Sequence, residues 1–246
     1  MRQVPTVSTF PWVEGVPELV GEIVRVREIA WADAPALFEL LSDPLVAAHM
    51  SAPPPSVAAF AGFIAWARQQ RASAESVCFA IVPHGAESAV GIIQVRALEP
   101  TFFTAEWGFA IGHMFWGTGA FTDAALLVAT FAFETIGVHR LEARATVDNA
   151  RGNGALQKIG ARPEGELKSA FRRQDRRDRQ FLWSLASEDL RRPAAAHARF
   201  SAADAAGAIR AAVATTQHAV RARRPEAPLP EPPPLHPFFV TRQQDK

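Results

Sequence analysis

The sequence predicts an α/β (α+β) fold: one mixed β-sheet flanked by helices, with an alanine- and proline-rich C-terminal extension. Short segments in which apolar and polar residues alternate, as in strands with one buried face, are interspersed with longer segments of helical apolar spacing. With 246 residues, of which 48% are hydrophobic, the chain is also long enough to bury a complete core.

In the first half of the chain, residues 24–27 alternate as a strand does. Asp33 is a predicted N-cap for a short helix that reaches Leu41, and a second helix fits residues 56–71, where apolar residues recur at helical spacing. Three consecutive strands are predicted next, at 77–82, 90–97 and 105–111.

In the second half, residues 123–136 are apolar on nearly every side, which predicts a deeply buried helix that Gly137 ends in a left-handed conformation. The basic run 171–179 is interpreted as a solvated loop before the last strand. The remaining predicted elements are a strand at 141–146, a short helix at about 153–159 and a last strand at about 179–185. The predicted order is β-α-α-β-β-β-α-β-α-β, with helices on both faces of the sheet.

Composition divides the chain into three parts. Residues 1–20 contain prolines without periodicity and are predicted to be an arm, 21–187 form the folded domain, and 188–246 form the extension. Within the extension, the alanine-rich segment 194–222 can form a helix with little to anchor it. Seven prolines in 225–237 favour an extended, solvated tail.

Composition also excludes several classes of function. The formal net charge is +1, which provides no global electrostatic basis for binding nucleic acid or a membrane. The single cysteine, Cys78, rules out an intramolecular disulfide and a multi-cysteine zinc site, and it lies in an apolar run that is typical of a core residue. No metal site is predicted. Neither a long apolar span nor an N-terminal secretion signal is found, so the expected location is the cytoplasm.

The stretch Ala105–Ile111 followed by Phe115–Ala120 combines a strand, a glycine-containing turn and the start of a helix. Main-chain amides at a helix N-terminus lack partners, and Gly117 and Gly119 would let the backbone approach a phosphate closely. A bound pyrophosphate is one interpretation, although paired glycines also occur in ordinary tight turns. The segment matches neither a Walker loop nor the dinucleotide fingerprint.

Two ordered motifs resemble a known family. The run from Glu106-Trp107-Gly108-Phe109 through Trp116-Gly117-Thr118-Gly119 resembles the acetyl-coenzyme A (acetyl-CoA) motif of the GNAT superfamily. It is most similar to that of the Rim-type branch, the ribosomal-protein N-terminal acetyltransferases. The block 148–153 leading to 156–161 is similar to the second, asparagine-containing motif of the same branch. The resemblance covers residues from about 20 to 187.

The resemblance implies a sheet that is splayed open beside the strand 105–111, with acetyl-CoA as the acetyl donor. It implies that the pantetheine arm lies in this opening and contacts Asn149. The other implied contacts are strand-like bonds from the pantetheine to Phe109, Ala110 and Ile111, and a pyrophosphate resting on the main chain of Trp116, Gly117, Thr118, Gly119, Ala120 and Phe121.

Glu106 is the candidate catalytic base, because an amine attacks a thioester only after losing a proton and several superfamily members carry a glutamate at this position. A glutamate on the solvent side of a strand is the alternative interpretation. The general acid is unassigned: the position of the family's tyrosine is Leu156, that of a serine is Gly152, and the chain has no tyrosine. His113 and His139 are further candidates for a proton carrier, and neither is assigned a role.

The predicted function is therefore an acetyl-CoA-dependent N-acetyltransferase that acts on a primary amine, either a protein N-terminus or a small molecule. The alternative is a non-catalytic or weakly active acyl-CoA sensor or scaffold of the same fold. Acceptor specificity is expected to come from loops near 46–75 and 168–180. The sequence leaves the acceptor and a homodimeric state open.

Overall fold

The computed structural model describes residues 11–173, 176–191 and 202–222. Eight strands form one sheet in the order β1-β2-β3-β4-β5-β6-β8-β7. All neighbouring strands are antiparallel except β5 and β6, which are parallel. The strands are β1 (Leu19–Val20), β2 (Val24–Glu28), β3 (Ser76–Pro83), β4 (Gly91–Ala97), β5 (Thr104–Ile111), β6 (Arg140–Thr146), β7 (Arg162–Arg173) and β8 (Arg176–Leu185).

Helices cover both faces of the sheet. Helices α2 and α4 pack on one face, and α5 and α6 pack on the other. The helices are α1 (Pro11–Glu14), α2 (Ala34–Leu41), α3 (Pro44–Ala47), α4 (Val57–Ala72), α5 (Ala120–Phe131), α6 (Ala150–Lys158) and α7 (Ala202–Ala222), with 3-10 turns at Trp31–Asp33, His113–Phe115 and Ser187–Asp189. None of the helices in the described segments is long and apolar enough to cross a membrane.

Alternation along the strands produces two separate cores. In β5, Trp107 and Ile111 join the core under α5, whereas Ala110 joins the core under α4, which contains Phe60 and Phe63. Successive side chains of a strand point to opposite faces, so a strand buried on both sides contributes to both cores. The mixed sheet between helical layers that the sequence predicts is confirmed.

The principal difference from the predicted elements is β7, because no strand was predicted at 162–173. The run 171–179, interpreted as a solvated loop, instead contributes residues to β7 and β8. Pro163 and Gly165 are unfavourable inside a central strand, but β7 is the edge strand and contains two register shifts, between Pro163 and Gly165 and between Leu167 and Phe171. Proline, glycine and bulges are tolerated at an edge because one side of the strand needs no ladder partner.

Two helix ends illustrate local effects. The helix predicted at 123–136 begins earlier, at Ala120, and finishes in a single π-helical turn, Ala132–Ile136. Gly137 then adopts the predicted left-handed conformation, with φ of +86°. Asp33 occupies the N-cap position of α2, but its carboxylate forms no cap hydrogen bond and pairs instead with Arg27.

Both terminal regions contact the domain. Trp12, in the segment predicted to be an arm, is buried in the core. The predicted C-terminal helix is present as α7, but the expectation that little anchors it is wrong: Ile209, Ala212 and Thr216 are buried, and the helix contacts α2 and the turn His113–Phe115. The proline-rich segment 225–237 and residues 1–10 lie outside the described residues.

Candidate active site

The sheet opens between its two parallel strands. β5 and β6 pair only through Thr104–Glu106 and Arg140–Glu142, although both strands continue further. Trp107–Ile111 of β5 and Ala143–Thr146 of β6 therefore bound an opening, called the β5–β6 gap below. No strand of the described chain fills it. The splayed sheet expected beside β5 is thus confirmed.

Two hydrogen bonds establish which main-chain groups of β5 face this gap. The amide of Gly112 donates to Val90 O at 2.9 Å, and the amide of Leu98 donates to Thr104 O at 3.0 Å. On the β5 side, both bonds are made by even-numbered residues: Thr104 at the start of the strand and Gly112 directly after its end. In an antiparallel pair the bonded residues alternate, so the odd-numbered residues of β5 direct their N–H and C=O groups away from β4.

Phe109 and Ile111 therefore present main-chain groups to the β5–β6 gap. The main chain of Ala110, in contrast, is paired with Ile92 of β4. The indole Nε1 of Trp116 donates to Ile111 O at 3.1 Å and occupies that carbonyl. Of the main-chain groups of Phe109 and Ile111, the N–H and C=O of Phe109 and the N–H of Ile111 therefore form a short strand edge that no described strand pairs with.

The loop between β5 and α5 has the backbone conformation that its glycines predict. Gly117 has φ of +78° and Gly119 has φ of +89°, both in the left-handed region. The buried Thr118 braces the loop, since its hydroxyl donates to Phe115 O at 2.8 Å and accepts from the Ala120 amide at 3.3 Å. Thr118 thus links the start of the loop to the first residue of α5.

Four amides of this loop and the first helical turn form no hydrogen bond within the described residues; they belong to Gly117, Gly119, Phe121 and Thr122. Unpaired amides at a helix N-terminus carry partial positive charge and bind anions. The arrangement fits a diphosphate.

The N-terminus of α5 is attached to β2 by Asp123. The Asp123 carboxylate accepts from the amides of Ile23 at 2.7 Å and Val24 at 3.0 Å. This carboxylate is therefore directed toward β2, and it fixes the position of the helix end relative to the sheet.

Asn149 is the N-cap of α6. Its side-chain Oδ1 accepts from the main-chain amide of Gly152 at 2.8 Å, and its main-chain N–H donates to Thr146 O at 2.9 Å. A Cβ at position 152 would lie 2.6 Å from Asn149 Nδ2, so glycine there keeps the capping side chain in place. The Oδ1 atom of Asn149 is thus used to cap α6.

Glu106 lies where the β5–β6 gap closes, on the face that packs under α4. It is buried, with 6% of its surface exposed. Arg96 of β4 donates to its Oε2 at 2.5 Å, and Arg144 Nε of β6 lies 3.7 Å from its Oε1. Glu106 is therefore not a solvent-side residue, and two guanidinium groups hold its carboxylate from both neighbouring strands.

Three of the histidines near the sheet, His49, His113 and His139, occupy different positions around the β5–β6 gap. His113 Nδ1 lies 3.2 Å from Asp43 Oδ2, next to the glycine loop. His139 stacks on Phe103 with ring centroids 4.5 Å apart, beyond the closed end of the β5–β6 gap. His49 Nδ1 lies 3.5 Å from the Thr146 hydroxyl.

Sequence reasoning missed two residues beside the β5–β6 gap. His49 arrives from the segment after α3, and no sequence pattern links it to β6. Arg151 places its guanidinium carbon 4.9 Å from the centroid of the Trp116 ring. Its position two residues after the predicted cofactor-contacting Asn149 was the available signal.

Other chemistries find no support in this region. No group of three or more potential metal ligands is found among the described residues. Cys78 is buried, and burial raises the pKa of its thiol well above its ordinary value. A buried neutral thiol is a poor nucleophile, which agrees with the predicted core role.

Comparison with known proteins agrees with this geometry. The model of the acetyltransferase (GNAT) domain family matches residues 24–162. The uncharacterized N-acetyltransferase p20 of Bacillus licheniformis is 22% identical over 168 residues, which cover 68% of this chain and 94% of that protein.

Solved structures share the fold. A putative acetyltransferase from T. thermophilus has a TM-score of 0.60 and 27% identity, over 71% of this chain and 92% of the other. Mycobacterium smegmatis RimJ in complex with CoA-disulfide has a TM-score of 0.63 and 20% identity, over 80% and 93%. Because the family model matches more than half of the chain, this protein belongs to the GNAT acetyltransferase family and is an acyltransferase.

Proposed function

We propose that this protein transfers the acetyl group of acetyl-CoA to a primary amine, either a protein N-terminus or a small-molecule amine. The observation that carries the proposal is the β5–β6 gap, which lies beside a glycine loop with unpaired amides. The unpaired edge at Phe109 and Ile111 offers strand-like bonds to the amides of a pantetheine arm. The amides of Gly117 and Gly119 suit the diphosphate.

The other residues expected to contact the donor have different local roles. Trp116 packs against the end of β5, and Thr118 braces the loop rather than offering its hydroxyl. Ala120 and Phe121 begin α5, and of these two only the Phe121 amide is without a partner in the described chain. Ala110 directs its main chain to β4, so the proposal relies on Phe109 and Ile111 in that strand.

Bound in this way, acetyl-CoA supplies an activated acyl group. The protein must then convert the amine substrate to its neutral form. An alkyl amine is mostly protonated near pH 7, so a base is required. Glu106 is the proposed base, through Oε1, because Oε2 is held tightly by Arg96. It lies three residues from Phe109, or about 10 Å along the strand. The amine would approach from the face that carries Glu106.

A second candidate function is an acyl-CoA sensor or scaffold without turnover. Two observations favour it. Both oxygens of Glu106 face guanidinium groups, so its carboxylate is already engaged in ion pairs with Arg96 and Arg144. The position of the family's tyrosine is the fully buried Leu156, and the chain contains no tyrosine to protonate the leaving thiolate.

Thiol release from acetyl-CoA in the presence of an amine panel separates the two functions. The panel should contain short peptides with free N-termini and small polyamines, so that it also identifies the acceptor class. Glu106→Gln is expected to lower amine-dependent release by about 100-fold, the usual scale of a general base. Glu142→Gln is the matched control, since Glu142 pairs with Glu106 in register and bonds Arg140 instead.

A binding measurement by calorimetry completes the test. CoA binding without amine-dependent release in any arm would support the sensor. Absence of CoA binding by the folded protein would exclude both functions. Equal loss of release in Glu106→Gln and Glu142→Gln would assign Glu106 to the ion-pair network alone.

A further inference from the structure

An arginine on α6 lies over the entrance of the β5–β6 gap. Helix α5 follows β5 and helix α6 follows β6, so both helices begin at the open end of this gap. Arg151 is the second residue of α6, and its guanidinium carbon is 4.9 Å from the centroid of Trp116. The contact joins the two sides of the gap directly beside Gly117.

Trp116 is a fixed platform for this cation. Its Nε1 bond to Ile111 O ties the indole to the end of β5. The Arg151 guanidinium lies over the Trp116 indole, whose ring face attracts a cation. Arg151 is therefore positioned before any ligand arrives.

The charge of Arg151 has no partner in the described chain. The side chain is exposed, and it forms no ion pair or hydrogen bond with the residues that the structure describes. The loop beside it, residues 115–121, contains no lysine or arginine. The carboxylate of Asp123, on the first turn of α5, is directed to β2 and does not neutralise it.

We propose that Arg151 binds a phosphate group of CoA and supplies the cation that the glycine loop lacks. A guanidinium offers paired donors that match phosphate oxygens, and such bonds are stronger than those of neutral amides. The amides of Gly117 and Gly119 and the guanidinium of Arg151 would then face the ligand from the two sides of the β5–β6 gap. This inference rests on the proposed use of CoA.

Calorimetric affinities for three probes test the inference: CoA, dephospho-CoA, which keeps the diphosphate, and pantetheine, which has no phosphate. Arg151→Gln is expected to weaken CoA binding about tenfold, the effect of losing one charged hydrogen-bonding group. Pantetheine affinity should be unchanged. Lys158→Gln removes a charge from the far end of the same helix and should change no affinity.

The pattern across the probes identifies the phosphate. A tenfold loss for both CoA and dephospho-CoA assigns Arg151 to the diphosphate, whereas a loss for CoA alone assigns it to the 3′-phosphate. Arg151→Lys keeps the charge but not the planar fork, so an intermediate loss is expected. Thermal melts verify that each variant is folded.

Three results would overturn the inference. Unchanged CoA affinity in folded Arg151→Gln, with wild type binding CoA, would refute Arg151 alone and leave the proposed function standing. An equal loss for pantetheine and CoA would show that Arg151 acts by shaping the β5–β6 gap. Failure of the wild type to bind CoA would refute the proposed function as well.

Discussion

Alanine substitutions at three glycines give opposite signs that follow from backbone geometry. Gly117 has φ of +78°, and a Cβ there would meet no atom within 4 Å. Gly117→Ala therefore isolates the cost of a left-handed alanine, about 1–2 kcal/mol. Gly119 has φ of +89°, and its Cβ would lie 2.8 Å from Ile23 Cδ1. Gly119→Ala adds steric displacement of Ile23, for a total of about 2–3 kcal/mol.

Gly154 provides the matched control. It lies within α6, and a Cβ at this position would also meet no atom within 4 Å. Alanine in a helix loses less conformational entropy on folding than glycine, so Gly154→Ala should stabilise the protein by about 0.5–1 kcal/mol.

Urea denaturation measures these free energies, and thermal melts should follow at roughly 2–4 °C per kcal/mol for a chain of this size. CoA affinity by calorimetry gives the functional readout, with about tenfold weakening for the two loop variants and none for Gly154→Ala. If Gly117→Ala is as stable as wild type, the left-handed conformation described for Gly117 is wrong. If it is destabilised yet binds CoA normally, the loop does not hold the phosphates.

Three further predictions concern buried and surface groups. Asp33→Asn should destabilise the fold by about 3–5 kcal/mol in urea denaturation, because the fully buried carboxylate pairs with Arg27. Hydrogen bonds from Arg140 lower the pKa of Glu164 from 4.5 to about 2. A carboxyl whose pKa is lower in the folded state stabilises the fold above pH 4.5, and this stabilisation is lost as the pH falls toward 2. Because the Glu164 side chain is 42% exposed, its contribution to the free energy of unfolding is below about 1 kcal/mol. Cys78 should not react with a thiol reagent in the native protein, and denaturation should release one reactive thiol.

Paired controls accompany the two carboxylate predictions. Glu18→Gln breaks a partly exposed pair with Arg25 and should cost little, so a similar cost for Asp33→Asn would contradict the buried pair. Glu164→Gln should flatten the stability profile between pH 4.5 and 2, whereas Glu166→Gln, which breaks the pair with Arg179, should retain it. Rapid labelling of native Cys78 would indicate that the strand region is open.

Much of the fold was predictable because the signals are local. β3 and β4 are short apolar runs and β6 alternates, and these signals require only that both faces or one face of the strand is buried. Gly137 ends its helix through its own backbone conformation. β7 was not predictable in the same way. Its sequence contains proline and glycine, and pairing with β8 supplies the stability that strand propensity does not.

In the candidate site, too, features set by neighbouring residues were predictable and features set by distant strands were not. Gly117 and Gly119 could be identified from sequence, since a left-handed turn before a helix depends on neighbouring residues. The burial of Glu106 could not, because Arg96 and Arg144 reach it from two other strands. Whether the main chain of Phe109 or that of Ala110 faces the β5–β6 gap also depends on the register of β5 with β4.

By itself, the sequence determined the order of most strands and helices, the glycine loop and the family resemblance, because each depends on residues close together in the chain. Only the tertiary structure decided that β5 and β6 diverge after three paired residues, that two guanidinium groups hold Glu106 and that Arg151 lies over Trp116. These features join distant segments through packing and charge, and such contacts are formed only when the whole sheet is assembled.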